Sequence, residues 1–334
     1  MPQGFSDRTV LMAVTTKIYA NTLAKQNEGR LLSQEKLRRL AEADADNLGK
    51  MLVDYGYGSQ LHATADFDAD ALIEAEINRL INFVESDCFD ENTAAVLLMR
   101  FAYNNVKARY KFKLGVTPRT DALYPLLNDV SECAEKGDYS ACSDILADAL
   151  KKLDEANLQK PLSAARIDAV LTEAMYAEMR AKAKKCGKAV KKYVTAKIDF
   201  ANLTAALRAM RLKVPAADLE AMFLNGGSID FEVLNEAAKD GWENFASHFA
   251  ETEYYDILKR VSNGGFAALP AFESDAGAIE SSFFDGDIEN LLSEAPTLHY
   301  YAAALNEYKT VGTIVTCIRN GAREEKNKRV RWSF

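Results

Sequence analysis

Three times along this chain an isoleucine followed by an acid opens a helix-like run, at Ile73-Glu74, Ile167-Asp168 and Ile279-Glu280. A second signature follows each, 32, 35 and 34 residues later. It reads Asn105-Val106-Lys107 with Lys111, then Asn202-Leu203 with Arg208, then Thr313-Ile314 with Arg319. A near-constant period of this kind means one supersecondary unit present in several copies, each burying its apolar face on its neighbours. The expected fold is all-α, with three similar helical bundles over residues 1–116, 117–222 and 223–334. The boundaries fall near Gly115–Pro118 and near Pro215–Gly227, after the Asn/Lys/Arg-bearing helix of each unit.

Composition agrees with long helices. Among 334 residues there are only 17 glycines and 7 prolines, too few punctuators for a turn-rich β protein. The net charge of −8 argues against general nucleic-acid binding, which needs cations to replace phosphate counterions. Five scattered cysteines with no CxxC pair read as reduced thiols of a cytosolic chain. No secretory signal is visible, and apolar runs such as Ala94–Met99 fall far short of the roughly 18 residues of a spanning helix. A soluble protein is expected.

Apolar spacing places the helices. Ile73, Ile77, Leu80, Ile81 and Val84 form one stripe of Asp70–Val84. Asp90 is positioned to cap Thr93–Val106, and Ser33 to cap the first of two short helices within Leu32–Tyr57. The second unit repeats the plan: a short-helix pair in Asp121–Lys152 broken near Gly137-Asp138, then Ala164–Met179, then Val190–Leu212 closed by Pro215. In the third unit a short-helix pair begins at Asp230, Asn263–Gly277 is expected to be a long loop, and Ile279–Leu292 and Leu298–Asn320 are expected helices. Val311–Ile318 is β-branched and reads locally as a strand. Its place in the third unit predicts a helix instead.

No catalytic constellation emerges. The Gly-Gly pairs at 226–227 and 264–265 lack the Lys-Ser/Thr of a phosphate loop and read as turns. His62, His248 and His299 have no second ligand at helical spacing, so no metal site is expected. There is no Gly-x-Ser-x-Gly elbow. Cys133 and Cys142 flank a turn, where buried small hydrophobes are the ordinary reading. The pairs Tyr254-Tyr255 and Tyr300-Tyr301 read as packing. No cofactor is expected.

Two basic clusters stand out. One holds Lys182, Lys184, Lys185, Lys188, Lys191, Lys192 and Lys197; the other holds Arg323, Lys326, Lys328, Arg329 and Arg331 before Trp332 and Phe334. They read as solvated helix faces, or as contacts with an acidic partner or an anionic membrane surface.

Several motifs in order carry a family resemblance. Ile18-Tyr-Ala-Asn-Thr-Leu-Ala-Lys-Gln-Asn-Glu-Gly-Arg-Leu-Leu-Ser33 with Leu37, and Leu52-Val-Asp-Tyr-Gly-Tyr-Gly58, resemble the opening of the C subunit of the V-type (archaeal A-type and bacterial V-type) ATPases, the counterpart of the eukaryotic d subunit. Asn105-Val-Lys-Ala-Arg-Tyr-Lys111 and Asp199-Phe-Ala-Asn-Leu-Thr-Ala-Ala-Leu-Arg208 resemble its end-of-repeat signature, and Gly227-Ser-Ile-Asp-Phe-Glu-Val-Leu234 its third-repeat opening. Ala102 stands where the first repeat would carry the acid, and Thr310 and Thr313 replace the acid and asparagine of the third.

The resemblance implies a non-catalytic part of a rotary motor, a pseudo-threefold funnel on the cytoplasmic face of the membrane rotor ring. The foot of the central shaft, subunits D and F, would be held in it. Torque would pass between the ATP-hydrolysing heads and the ion-carrying ring. Such an adaptor needs stiff packed helices and no chemistry of its own. Lys107, Lys111, Arg208 and Arg319, near the ends of the repeated helices, are the candidates for shaft or ring contact; the alternative is that they complement helix C-termini. Two other readings compete: a helical-repeat scaffold unconnected with a motor, and an all-helical enzyme with a buried polar pocket.

Overall fold

The computed structural model describes residues 4–59, 68–119, 123–270, 272, 276 and 284–322. Ile279-Glu280, His62 and the basic tail from Arg323 to Phe334 lie outside the described residues. The described chain is all-α, with no strand. Helices α1 (Gly4–Glu28), α2 (Gln34–Glu42), α3 (Leu48–Asp54), α4 (Ala69–Asp87) and α5 (Glu91–Lys113) come first. Then follow α6 (Ser131–Lys136), α7 (Asp144–Gln159), α8 (Ala164–Ala183) and α9 (Lys188–Leu212). The chain continues with α10 (Ala216–Met222), α11 (Phe231–Asp240), α12 (Tyr255–Gly264) and α13 (Ala295–Arg319).

Local chemistry sets the helix ends. Ser33 Oγ accepts from the Lys36 amide, and Asp90 Oδ1 accepts from the amides of Asn92 and Thr93 at 2.9 and 3.0 Å. Each satisfies donors that the first turn leaves open. Gly137 closes α6 at φ +77°, a backbone region that other residues resist.

The chain divides into two compact units, one of residues 1–80, 199–223 and 227–334, the other of 81–198 and 224–226. The divisions fall inside α4 and α9. In the second unit α5 packs on α6 and α8, and α7 on α8. In the first unit the C-terminal half of α9 contributes Phe200, Leu203, Ala206 and Leu207 to a core with Leu234, Phe245, Phe249, Ile257 and Leu258. There too α13 packs on α1 and α2. A similar relation thus occurs three times: α5 packs on α6, the C-terminal half of α9 shares a core with α11 and α12, and α13 packs on α2.

Helix α13 contains the β-branched stretch, and its environment explains why it is helical. Val311, Ile314, Val315, Cys317 and Ile318 are all buried. Burying a Val or Ile side chain contributes about 1.5–3 kcal/mol, whereas the helix penalty of a β-branched residue is about 0.5 kcal/mol. Burial wins. Asn21 of α1, fully buried, fixes the start of α13: its Oδ1 accepts from the Thr297 amide and hydroxyl at 3.2 and 2.7 Å.

Two segments differ from expectation. Residues 263–270, expected as loop, finish α12 and continue as a 3₁₀ turn over Gly265–Ala268 and a further helical stretch. Gly265 at φ +62° reverses the chain, and Phe266 packs on Trp242 at 4.4 Å between ring centroids. Leu269 and Phe272 are buried. Leu269 and Phe272 anchor the segment to the core, while Asn263, Gly264, Phe266 and Ala267 stay exposed. Residues 284–292, expected as the end of a helix, form a 3₁₀ turn at Asp285–Asp287 and further turns. Asn290 Oδ1 accepts from the Leu292 amide at 3.1 Å, the local side-chain competition for backbone donors that opposes helices. Asn21 Nδ2 donates to the Leu291 and Ser293 carbonyls at 2.8 Å, occupying acceptors that a helix would use itself.

Candidate functional site

Three helix contacts each hold a carboxylate at or just before the start of a short helix, whereas Thr313 of the third signature only donates to the Lys309 carbonyl of its own helix. Where α9 meets the start of α11 the carboxylate is Asp199, fully buried on α9. It accepts from the Ser228 amide (2.8 Å), the Ser228 hydroxyl (2.7 Å), the Ile229 amide (3.2 Å) and the Tyr254 hydroxyl (2.8 Å). Ile229 directly precedes the N-cap residue of α11. Burial first, then the adjacent Asp199 charge, push the Tyr254 phenol far above its ordinary value, so it stays a donor.

On α13 the carboxylate is Glu307. It accepts from the Leu32 amide and from the Tyr57 hydroxyl, the latter at 2.7 Å. Leu32 directly precedes Ser33, the N-cap residue of α2, the position that Ile229 holds before α11. Burial pushes the Glu307 carboxyl up to about 7, against the donors Tyr57 and Leu32, which favour the charged form; the nearby Glu76 raises it and Arg79 lowers it. Burial and Glu307 together raise the Tyr57 phenol. Beside them Arg79 pairs with Glu76, whose Oε1 accepts from the Gly58 amide at 3.0 Å.

Where α5 meets the start of α6 the carboxylate comes from the other side, and residue 102 of α5 is an alanine. Asp129, in the loop before α6, accepts from the Ser131 amide (2.9 Å) and hydroxyl (2.8 Å). Asn105 of α5, buried, donates to Asp129 at 3.2 Å. It also exchanges a pair of hydrogen bonds with the Tyr124 backbone, donating to its carbonyl at 2.8 Å and accepting from its amide at 2.9 Å.

Two of the four basic residues of the signature, Lys111 and Arg319, meet acids within the chain. Lys111 reaches Asp168, the acid that opens the second Ile-acid run, at 2.7 Å. Lys107 donates to Thr172 at 2.7 Å. Burial lowers its pKa, Asp168 opposes that, and Lys111 adds to it. Arg319 bonds Asp68 at 3.0 Å and also Asp70, both just ahead of the first Ile-acid run. The hydrogen bond to Asp70 comes first in raising the Arg319 pKa. Arg208 is exposed on α9. The structure therefore joins Lys107 and Lys111 in one cluster around Asp168 and places Arg319 in a separate one.

Nearby, Asp154 of α7 accepts from Tyr110 (2.9 Å), Tyr139 (2.5 Å) and Lys113 (2.9 Å). Burial pushes that carboxyl up, but the three hydrogen bonds outweigh it and hold it below its ordinary value. Tyr254, Tyr300 and Tyr301 are buried, as the packing reading expects, whereas Cys133 and Cys142 are only half-buried. The chemistry on display is structural: carboxylates meeting amides and hydroxyls at helix starts. A profile of the ATP synthase (C/AC39) subunit family matches residues 20–329.

This chain belongs to the ATP synthase (C/AC39) subunit family. Its relatives include the C subunit of the A-type ATP synthase of Desulfurococcus sp. (strain SY), 21% identical over 97% of this chain and 93% of the relative. The protein of the same name from Thermococcus kodakarensis is 23% identical over 96% and 92%, and that from Pyrococcus furiosus 23% over 98% and 93%. For this C/AC39 chain, sequence reading found Asp199 and Asn105 but missed Glu307 and Asp129. Asn306-Glu307 precedes Thr310 by about one helical turn, a register slip that the repeat spacing alone does not reveal. The usable signal was an acid on the otherwise apolar face of α13.

Proposed function

We propose that this chain is a non-catalytic central-stalk subunit of a rotary A/V-type ATPase, joining the rotating shaft (subunits D and F) to the membrane rotor ring. The family match over nearly the whole chain carries this reading. In that role the repeats 1–116, 117–222 and 223–334 form a funnel around the shaft foot, peripheral to the membrane on its cytoplasmic side. No described helix is long and apolar enough to cross a membrane.

The junction geometry supports a load-bearing part. Repeated helices tied by buried, hydrogen-bonded carboxylates resist sliding more than apolar packing alone, since each bond fixes register. Among the four candidate cations, Arg208 is exposed and Arg319 is partly so, which favours them for contact with shaft or ring. Lys107 and Lys111 direct their charges inward.

Affinity capture of the tagged full-length chain from detergent-solubilised membranes tests the proposal. Shaft subunits and ring proteolipid should co-purify, and Arg208→Glu with Arg319→Glu should weaken that recovery. A folded chain that captures neither, or that hydrolyses ATP by itself, sinks the reading and leaves a scaffold or an enzyme.

A further inference from the structure

The connection between α8 and α9 concentrates positive charge without any acid beside it. Six lysines fall within residues 182–192, and no acid occurs between Glu178 and Asp199, on a chain of net charge −8. Lys184, Lys185, Lys188, Lys191 and Lys192 are exposed and Lys182 is half-buried. The ammonium groups of Lys184, Lys185, Lys188 and Lys191 make no ion pair or hydrogen bond with any described residue.

Helix stability does not account for this placement. Lys182 near the end of α8 suits the helix dipole, but Lys188 and Lys191 occupy the first turn of α9, where the dipole disfavours cations and where there is no acid. The chain thus concentrates charge at a cost to its own helix. The choice of lysine narrows the partner. Protein interfaces favour arginine and exposed aromatics and deplete lysine. Here there is no arginine between residues 181 and 207, and Tyr193 is buried. A dense set of flexible point charges without an anchoring ring suits a partner whose negative charges are themselves mobile.

We propose that the α8–α9 connection is a docking surface for an anionic lipid bilayer. The contact is electrostatic, made by Lys184, Lys185, Lys188 and Lys191 with headgroups, and requires no insertion. It does not depend on the rotary reading.

Co-sedimentation of the full chain with phosphatidylcholine vesicles, with and without phosphatidylglycerol, tests it. The chain should bind the anionic vesicles, ignore the neutral ones and dissociate as salt rises. Replacing all four lysines by glutamine should weaken binding more than tenfold, since each lysine near such a surface contributes roughly fivefold. Replacing them by arginine should preserve binding. A control with equal charge loss elsewhere, Lys50→Gln, Lys151→Gln, Lys152→Gln and Lys160→Gln, should bind like the parent. The proposal fails if the parent ignores anionic vesicles, if the four-glutamine variant binds them unchanged while helical by circular dichroism, or if the control loses as much. It also fails if the four-glutamine variant keeps vesicle binding but loses an acidic protein partner. If the glutamine variant does not fold, loss of parent binding to neutral competition but not to salt overturns the proposal.

Discussion

Glu307 provides a measurable link between proton binding and stability. Its carboxyl lies at about 7 in the folded chain against an ordinary value of 4.5. The groups facing it are Tyr57 after α3, Glu76 and Arg79 on α4, Tyr308 on its own helix, and the Leu32 amide before α2. Because the folded value is raised, the folded chain binds the proton more tightly than the unfolded chain. This group's contribution is therefore full below the unfolded value and is lost as pH rises towards 7. The loss is about 3 kcal/mol, at about 1.4 kcal/mol for each pH unit between the two values. Glu307→Gln keeps an oxygen for the Leu32 amide and presents its NH₂ to the Tyr57 oxygen, so the fold survives with a roughly constant offset of about 1 kcal/mol. Urea unfolding followed by far-UV circular dichroism, from about pH 5 to about pH 8, compares the two chains. The stability difference between parent and variant should shift by about 2.5 kcal/mol across that range, the parent losing more as pH rises. Parallel pH profiles would refute the reasoning.

Three further outcomes follow from the junctions and the core. Asp199→Ala should destabilise by about 3 kcal/mol or more, because it strands the Ile229 amide and the Tyr254 hydroxyl in the core, and the Ser228 and Ile229 amides should exchange hydrogen faster. Ile314→Ala should cost about 2–5 kcal/mol in urea unfolding, as expected for a fully buried side chain on α13. Arg319→Gln should change stability by less than about 1 kcal/mol despite its two ion pairs, because they are solvent-screened; raising the salt concentration should erase even that.

Much of this architecture could be read from residues alone, and the failures are instructive. The caps Ser33 and Asp90 were legible because a short polar side chain ahead of an apolar stripe has one efficient use. The helical state of Val311–Ile318 was legible by analogy with its two counterparts and because Leu298–Leu305 leads into it without a strong breaker, although local preference points the other way. Residues 263–270 were misread because three consecutive polar or glycine residues, Asn263-Gly264-Gly265, suggest a loop, while buried Leu269 and Phe272 decide the packing. The end of Ile279–Leu292 was misread because Asn21, some 270 residues away, takes the carbonyls of Leu291 and Ser293. At the junctions, Asp199 could be seen in its motif. Asp129 and Glu307 could not, because the demand for a carboxylate is set by amide groups in space, and either partner, or a neighbouring turn, can meet it.

The packing of α13 on α1 and α2 also sets a timetable for synthesis. Leu32 and Glu307 are 275 residues apart, so the opening helices leave the ribosome long before the surface that covers them. At about 5–20 residues per second the wait is roughly 14–55 s. Throughout it the apolar faces of α2 and its neighbours stand open to chaperones and to other nascent chains. A stop codon ahead of α13 would release a polypeptide whose first helices lack the long helix that α1 and α2 pack on.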